Sequence, residues 1–410
     1  MRDRSFLALC ALILVNQLGF GIITPVLPSY ARSFGLGPEH IGLVIGIYGF
    51  ARFIANVPAG QLAERRGRRE VLVIGTAITS VASALTVTAD SLPQLLAYRL
   101  LAGLGAATVI TAGQIMVADI ATPANRGRMM SVYQGFFLVG VGLGPTPGGL
   151  LADHFGLNAP FVAYAVFSAA ACVMSMVLIR ETKPSHAVRV QRAERSPGGT
   201  AIAPTASMGA GALRRTLTSR AFLLIGFVSF AQFAGRTGAV FTVVPLLGRE
   251  WIQLSASQIG YAFSLIAVLN IMTIYLSGSL ADRFGRKPVI APAMLVEGIG
   301  LALFAFSPSY WMFMLSAAVW GLGAGISGPA PAAYVTDLAP EAVRARVVGY
   351  SRSMADAGYI VGPLALGAIA ARYGYATPLL LTAGVIVVAG ALFWVLAPEF
   401  DRRQGAPATR

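Results

Sequence analysis

Apolar residues run along this chain in long blocks separated by short polar clusters, with no sustained alternation of the two. Twelve blocks stand out, over residues 5–30, 40–63, 71–90, 93–118, 128–152, 159–180, 220–247, 256–281, 288–307, 309–336, 346–371 and 375–398. At 1.5 Å of rise per residue, each is long enough to cross a hydrocarbon layer about 30 Å thick. Lipid offers no partner to a bare backbone, so such spans must be helices that bond their own N–H and C=O groups. The pattern predicts an all-α polytopic membrane protein with twelve transmembrane helices. The first block is far longer than a signal-peptide core and carries Pro25 and Pro28, so it reads as an uncleaved span.

The blocks also repeat. "GQLAERRGRR" at 60–69 and "GSLADRFGRK" at 278–287 differ in position by 218. The same offset relates Asp119 to Asp337, Gly103 to Gly321, Gly144-Pro145 to Gly362-Pro363, and Gly156 to Gly374. Two six-span halves follow, at 1–180 and 220–398, as parallel repeats of the kind that transporters use. Between them, 181–219 is basic and rich in Pro, Gly, Ala and Ser, which predicts a flexible linker; 399–410 reads as a tail.

Composition sharpens this reading. Only 12% of residues are charged against 56% hydrophobic, although the net charge is +14. On the twelve-span model, 24 of the 31 cations fall in loops on the side of the N-terminus, and the opposite loops hold only Arg32, Arg249 and Arg372. That asymmetry is the positive-inside signature, so the basic charge reports topology and not a nucleic-acid partner. It places both termini and the linker in the cytoplasm. Cys10 and Cys172 lie within spans and imply no disulfide framework; His40, His154 and His186 are scattered and suggest no metal site. No nucleophile motif or nucleotide-binding loop is present, so the chain reads as neither an enzyme nor an ATP-driven pump.

The repeated hairpins carry chemistry of their own. Glu64, Asp119, Asp282 and Asp337 each stand at the C-terminal end of a span, where the helix dipole disfavours an acid. They therefore predict partners in two clusters: Glu64, Arg65, Arg68, Asp119 and Arg126 in the first half, and Asp282, Arg283, Arg286, Asp337 and Arg344 in the second. Gly60 and Gly278 are expected to allow close helix crossing, and Gly67 and Gly285 the tight turns.

These hairpins resemble the signature loop of the major facilitator superfamily. "LGFGIITPVLP" (18–28), "LLAYRLLAGLGAA" (95–107) and "GVGLGPTPGG" (140–149) are similar to span 1, 4 and 5 patterns of its twelve-span drug:proton antiporters. The resemblance implies two pseudo-symmetric six-helix bundles around a central cavity, alternating access, a proton gradient in place of any cofactor, and a monomer in the cell membrane. It associates the span-5 string (Gly140, Gly144, Pro145, Gly148 and Gly149) with antiport, and it implies that this string seals against span 1. Glycines of the same kind in span 11 fit ordinary helix packing equally well.

Charges deep in a span cost at least about 2.5–3.5 kcal/mol and point to function. Arg52, Arg99, Arg236, Glu297, Arg352 and Asp356 form that group. Arg52 and Asp356 each lie twelve residues, about 18 Å, from the basic side, and the resemblance brings spans 2 and 11 together, so a pair across the halves is expected. Arg352, four residues before Asp356, offers a local alternative. Asp356 is the leading proton carrier, with Arg52, Arg99, Arg352 and Glu297 as further coupling candidates. Span 1 has Asn16 and Gln17 where related antiporters carry an acid. Arg99 either takes part in coupling or snorkels to the near surface. Asn16, Gln17, Gln114, Gln134, Gln232, Arg236 and Asn270 are the candidate cavity residues. Four deep arginines against two deep acids favour a substrate with an anionic or polar acceptor group. The function expected is proton-coupled export of small organic molecules, drugs or metabolites. The alternatives are a proton symporter for a polar or anionic nutrient and a transport-inactive sensor or scaffold.

Overall fold

The structure, a computed structural model, describes residues 2–122, 125–182 and 206–398. Those residues are almost wholly helical, and among them twelve helices are long and apolar enough to cross a membrane. In chain order the first half comprises α1 (Arg2–Ile23), α2 (Leu27–Arg32), α3 (Pro38–Arg66), α4 (Arg68–Val87), α5 (Leu92–Ile120), α6 (Arg126–Leu143), α7 (Pro145–Phe155) and α8 (Ala159–Val177). After α9 (Ala206–Leu217), α10 (Arg220–Ala234) runs into a π-helical stretch, Gly235–Val243, then α11 (Val244–Leu246) and a π turn, Leu247–Trp251. The chain continues through α12 (Ala256–Phe284), α13 (Lys287–Ala305), α14 (Tyr310–Ser327), α15 (Ala330–Leu338), α16 (Arg344–Tyr373) and α17 (Ala376–Leu396).

Three predicted spans are interrupted by the residues that disfavour a straight helix. Thr24-Pro25-Val26 separates α1 from α2, Gly144 before Pro145 separates α6 from α7, and Gly328-Pro329 separates α14 from α15. Proline lacks the N–H that the preceding turn needs. In span 7 the π stretch returns to α-helix just before Pro245, which likewise has no N–H to donate. The expected flexible linker needs one correction. Residues 183–205 lie outside the described residues, but Ala206–Leu217 is helix. The tail at 399–410 also lies outside them.

Buried apolar side chains between Ala221 and Ala397 form one continuous core. Those between Leu9 and Ile179 form separate ones, joined by Leu246 and Ala256 from the second half. The 218-residue offset is visible in the backbone. Positive φ occurs at Gly67 and Gly285 (118° and 94°), at Gly156 and Gly374 (86° and 76°), and at Gly35 and Gln253 (74° and 62°). Gly67 ends α3 in a conformation that an L side chain rarely adopts, and α4 starts at once.

Candidate functional site

The end of the molecule opposite the basic loops is closed by backbone packed on backbone. On one face of α6–α7, a Cβ at Gly140 would stand 2.6 Å from the Leu14 carbonyl oxygen, and one at Gly144 2.5 Å from the Gly21 carbonyl carbon; one at Gly148 would collide with Ile22. All three meet α1. On the other face, Gly142 and Gly149 lie against Ala267 and the Ala256 carbonyl of α12. The repeat then interlocks: Gly260 of α12 abuts the Pro145 carbonyl, and its equivalent Gly42 of α3 abuts the Pro363 carbonyl of α16. The span-5 string therefore packs on span 1 and, through a second face that sequence reasoning missed, on span 8.

Polar contacts reinforce this closure. The Asp153 carboxylate of α7 accepts from the Ala256 and Ser257 N–H groups at 3.0 and 2.8 Å, satisfying donors at the start of α12. The Thr146 hydroxyl lies 2.8 Å from that of Ser264. Arg32 grips Glu250 by two nitrogens, Nε to Oε1 at 2.8 Å and Nη2 to Oε2 at 3.3 Å. These two positions are themselves equivalents under the offset, so opposite charges meet across the pseudo-two-fold axis. The Tyr375 hydroxyl donates to Glu250 at 2.6 Å, and burial together with this bond raises the phenol above its ordinary value. The latch therefore keeps this donor below about pH 10 and loses it only as pH climbs through the raised value.

Toward the basic end the helices part around a cavity of about 360 Å³, lined by Arg52, Gln114, Gln134, Arg236, Asn270 and Arg352 among others. Gln134 and Arg352 are exposed, so the cavity opens at that end. Arg236 sits on the π stretch, an irregularity often found at functional sites. Asn16 and Gln17, expected in this lining, are instead buried and hydrogen-bonded to each other at 3.2 Å. Gln232 is turned aside to Glu297.

The deep charges do not pair as expected. Among the described residues, Asp356 forms no ion pair with Arg52 or Arg352 and acts on Arg52 only through space. The Arg52 guanidinium lies 5.4 Å from the Tyr359 ring centroid and 6.0 Å from that of Tyr48. The helices that carry Arg52 and Asp356, α3 and α16, do pack closely, as Gly42 shows, but the two charged groups are not in contact. Glu297 is 2% exposed and faces inward: Gln232 Nε2 donates to it at 3.2 Å, and the Ser327 hydroxyl donates to the same oxygen. Arg99 is 3% exposed and turned inward onto Tyr48, which excludes snorkelling.

A family model described as Major Facilitator Superfamily matches residues 9–251 and 237–410. The chain belongs to this superfamily. It is 28% identical to a protein named tetracycline resistance protein, class C, from Escherichia coli, over 99% of both chains. It is 25% identical to a multidrug resistance protein MdtG from Salmonella choleraesuis, over 92% of this chain and 91% of that one. The crystal structure of the nucleoside transporter NupG superimposes with a TM-score of 0.74 at 18% identity, covering 95% of this chain and 98% of that one. Members of this superfamily are transporters, and the protein is a multi-pass membrane transporter rather than an enzyme.

The superfamily hairpin is built differently from the expected cluster. Arg68 Nε bonds Asp119 at 2.8 Å and its Nη1 donates to the Ala63 carbonyl at 3.1 Å, which ties α4 to α5 and α3. Glu64 is exposed and has no place in this arrangement. Its role falls to Glu181, whose carboxylate accepts from the N–H groups of Arg68 and Arg69 at 3.0 and 3.1 Å and caps α4. In the second half Arg286 meets Asp337 at 3.3 Å, while the Asp282 side chain lies outside the described residues. Arg65, Arg126 and Arg283 are exposed, and Arg344 Nε donates to the Ala339 carbonyl at 3.4 Å. Among the described residues Gly60 and Gly278 do not mediate close crossings: a Cβ at Gly60 would make only ordinary contact with Thr111, and one at Gly278 would meet nothing within 4 Å.

Proposed function

We propose that this transporter is a proton-coupled antiporter that exports small organic molecules by alternating access, acts as a monomer, and holds its basic end in the cytoplasm of the cell. The observation that carries this reading is the arrangement of the span-5 string. It seals one end of the molecule against both α1 and α12, while a cavity large enough for an organic molecule stands open at the other. A tight backbone seal opposes leak, which an exporter working against a gradient requires. The resistance proteins among the relatives support export.

The proton sites in this reading are Glu297 and Asp356, of which Glu297 is the better placed. Its protonation changes the charge felt by Arg236, which lines the cavity. The energy source is then the proton gradient alone. The test uses vesicles holding the purified protein, a pH-sensitive dye, and an unbiased panel of organic compounds. Antiport predicts substrate-driven proton movement opposite in direction to substrate, abolished by Glu297→Gln with the fold retained. Co-directional movement, or undiminished coupling in both Glu297→Gln and Asp356→Asn, contradicts the reading.

A further inference from the structure

Between the cavity and the closed end lies a cage of arginines and aromatic rings in which, among the described residues, no acid is paired with an arginine. The Arg99 guanidinium is 4.6 Å from the Tyr48 ring centroid, and Arg52 stands between Tyr48 and Tyr359. Arg236 lies 5.8 Å from the ring of Phe241. Arg99 is almost fully buried and makes no hydrogen bond or ion pair among the described residues; its Nε is without a partner, as is the Nε of Arg52. Asp356 and Glu297 act on Arg52 and Arg236 only through space, and the Tyr359 hydroxyl gives Arg52 a single neutral hydrogen-bond partner where Arg99 has none among the described residues. Aromatic faces offset part of the desolvation of a guanidinium but accept none of its N–H bonds. A buried cation without hydrogen-bond acceptors is costly, and what this cage lacks is an anion.

The space around the cage is graded in size. Arg99, Tyr48, Tyr359 and Phe241 border a narrow pocket of about 20 Å³, whereas Arg52 and Arg236 border the cavity of about 360 Å³. Only a small group fits the first, and the body of a ligand fits the second.

We infer that the transported molecule is an organic anion: its carboxylate, sulfonate or phosphate group docks between Arg52 and Arg99, and its apolar or aromatic body occupies the larger cavity. This rests on the antiporter reading and adds the substrate class to it. The planar guanidinium forks suit such oxygens. An inside-negative membrane potential also favours the outward passage of an anion.

Calorimetric titration of the purified full-length protein with naphthalenesulfonate, naphthylmethanol and tetraphenylphosphonium tests this, with sodium chloride and sodium phosphate titrated alone. The sulfonate is expected to bind saturably and the other two organic probes neither to bind nor to compete. Arg99→Gln and Arg52→Gln should each weaken sulfonate binding about tenfold or more, with unchanged gel-filtration profiles. If Arg99→Gln does not fold, Arg99→Lys, which keeps the charge and loses the fork, should show an intermediate loss. No sulfonate binding, equal affinity in the arginine variants, or competition by the phosphonium cation overturns the proposal. So does chloride or phosphate alone filling the site and excluding the sulfonate, which would make it a resident-ion site. Proton-driven efflux of another compound class with the sulfonate silent would sink this inference and leave antiport standing. Sulfonate binding without proton-coupled movement in vesicles would do the reverse.

Discussion

The contact between Arg32 and Glu250 offers a quantitative handle on the closed end. Because the two positions are repeat equivalents, exchanging them should rebuild the same pair in mirror sense across the pseudo-two-fold axis. Their side chains are 43% and 28% exposed, so solvent screens the pair, and its loss in Arg32→Ala is worth about 0.5–1 kcal/mol. Arg32→Glu adds like-charge repulsion of similar size, for about 1–2 kcal/mol in all, or roughly a five- to thirty-fold shift of the equilibrium toward an open end. Arg32→Glu combined with Glu250→Arg should recover most of that. The recovery is incomplete because Arg32 also donates to the Leu36 carbonyl and Tyr375 to Glu250. The assay is the labelling rate, by an impermeant maleimide added from that side, of a cysteine at Leu27, a 5% exposed residue beneath the closure. The native Cys10 and Cys172 are both buried and can be replaced first. Labelling should rise in the order wild type, Arg32→Ala, Arg32→Glu, and fall again in the exchange variant. Equal rates throughout, or effects of the two substitutions that simply add, refute the latch.

Other predictions follow from the same geometry. Gly149→Val puts side-chain atoms into the Ala256 carbonyl, so the closed end cannot form; the cysteine at Leu27 should label from that side while α-helical circular dichroism stays unchanged. Arg68→Ala removes a buried guanidinium and leaves the more exposed Asp119 carboxylate with only the Thr182 hydroxyl, which should lower stability in detergent by about 1–2 kcal/mol, whereas Glu64→Ala should change it by less than about 0.5 kcal/mol. Glu181→Ala removes the carboxylate that caps α4 and should cost about 1 kcal/mol in the same melting assay.

The spans were legible in the sequence because lipid leaves the backbone one solution, and the repeat was legible because glycines at turns tolerate few replacements. Gly67 and Gly285, Gly156 and Gly374 all stand at positive φ, as one offset requires. What the sequence concealed depends on approach in three dimensions. The second face of the span-5 string shows only once α12 lies against Gly142 and Gly149. Glu181 seemed part of a linker, yet the chain returns there to the start of α4. Depth along two helices brought Arg52 and Asp356 level but said nothing of rotation, and rotation carries Arg52 to Tyr48 and Tyr359. Glu297 stands out in the sequence as a deep charge, but only the structure shows α13 pointing it inward to Gln232 and Ser327.

Alternating access itself is tested most directly by paired distances at the two ends. Spin labels at Ser33 and Gln253 report the closed end and labels at Arg128 and Arg346 the basic end, all four being exposed positions. In lipid nanodiscs, as pH is stepped and as Arg32→Glu is introduced, lengthening of the first distance should be matched by shortening of the second. A basic end that keeps its width while the other opens, or two ends that widen together, would contradict the account.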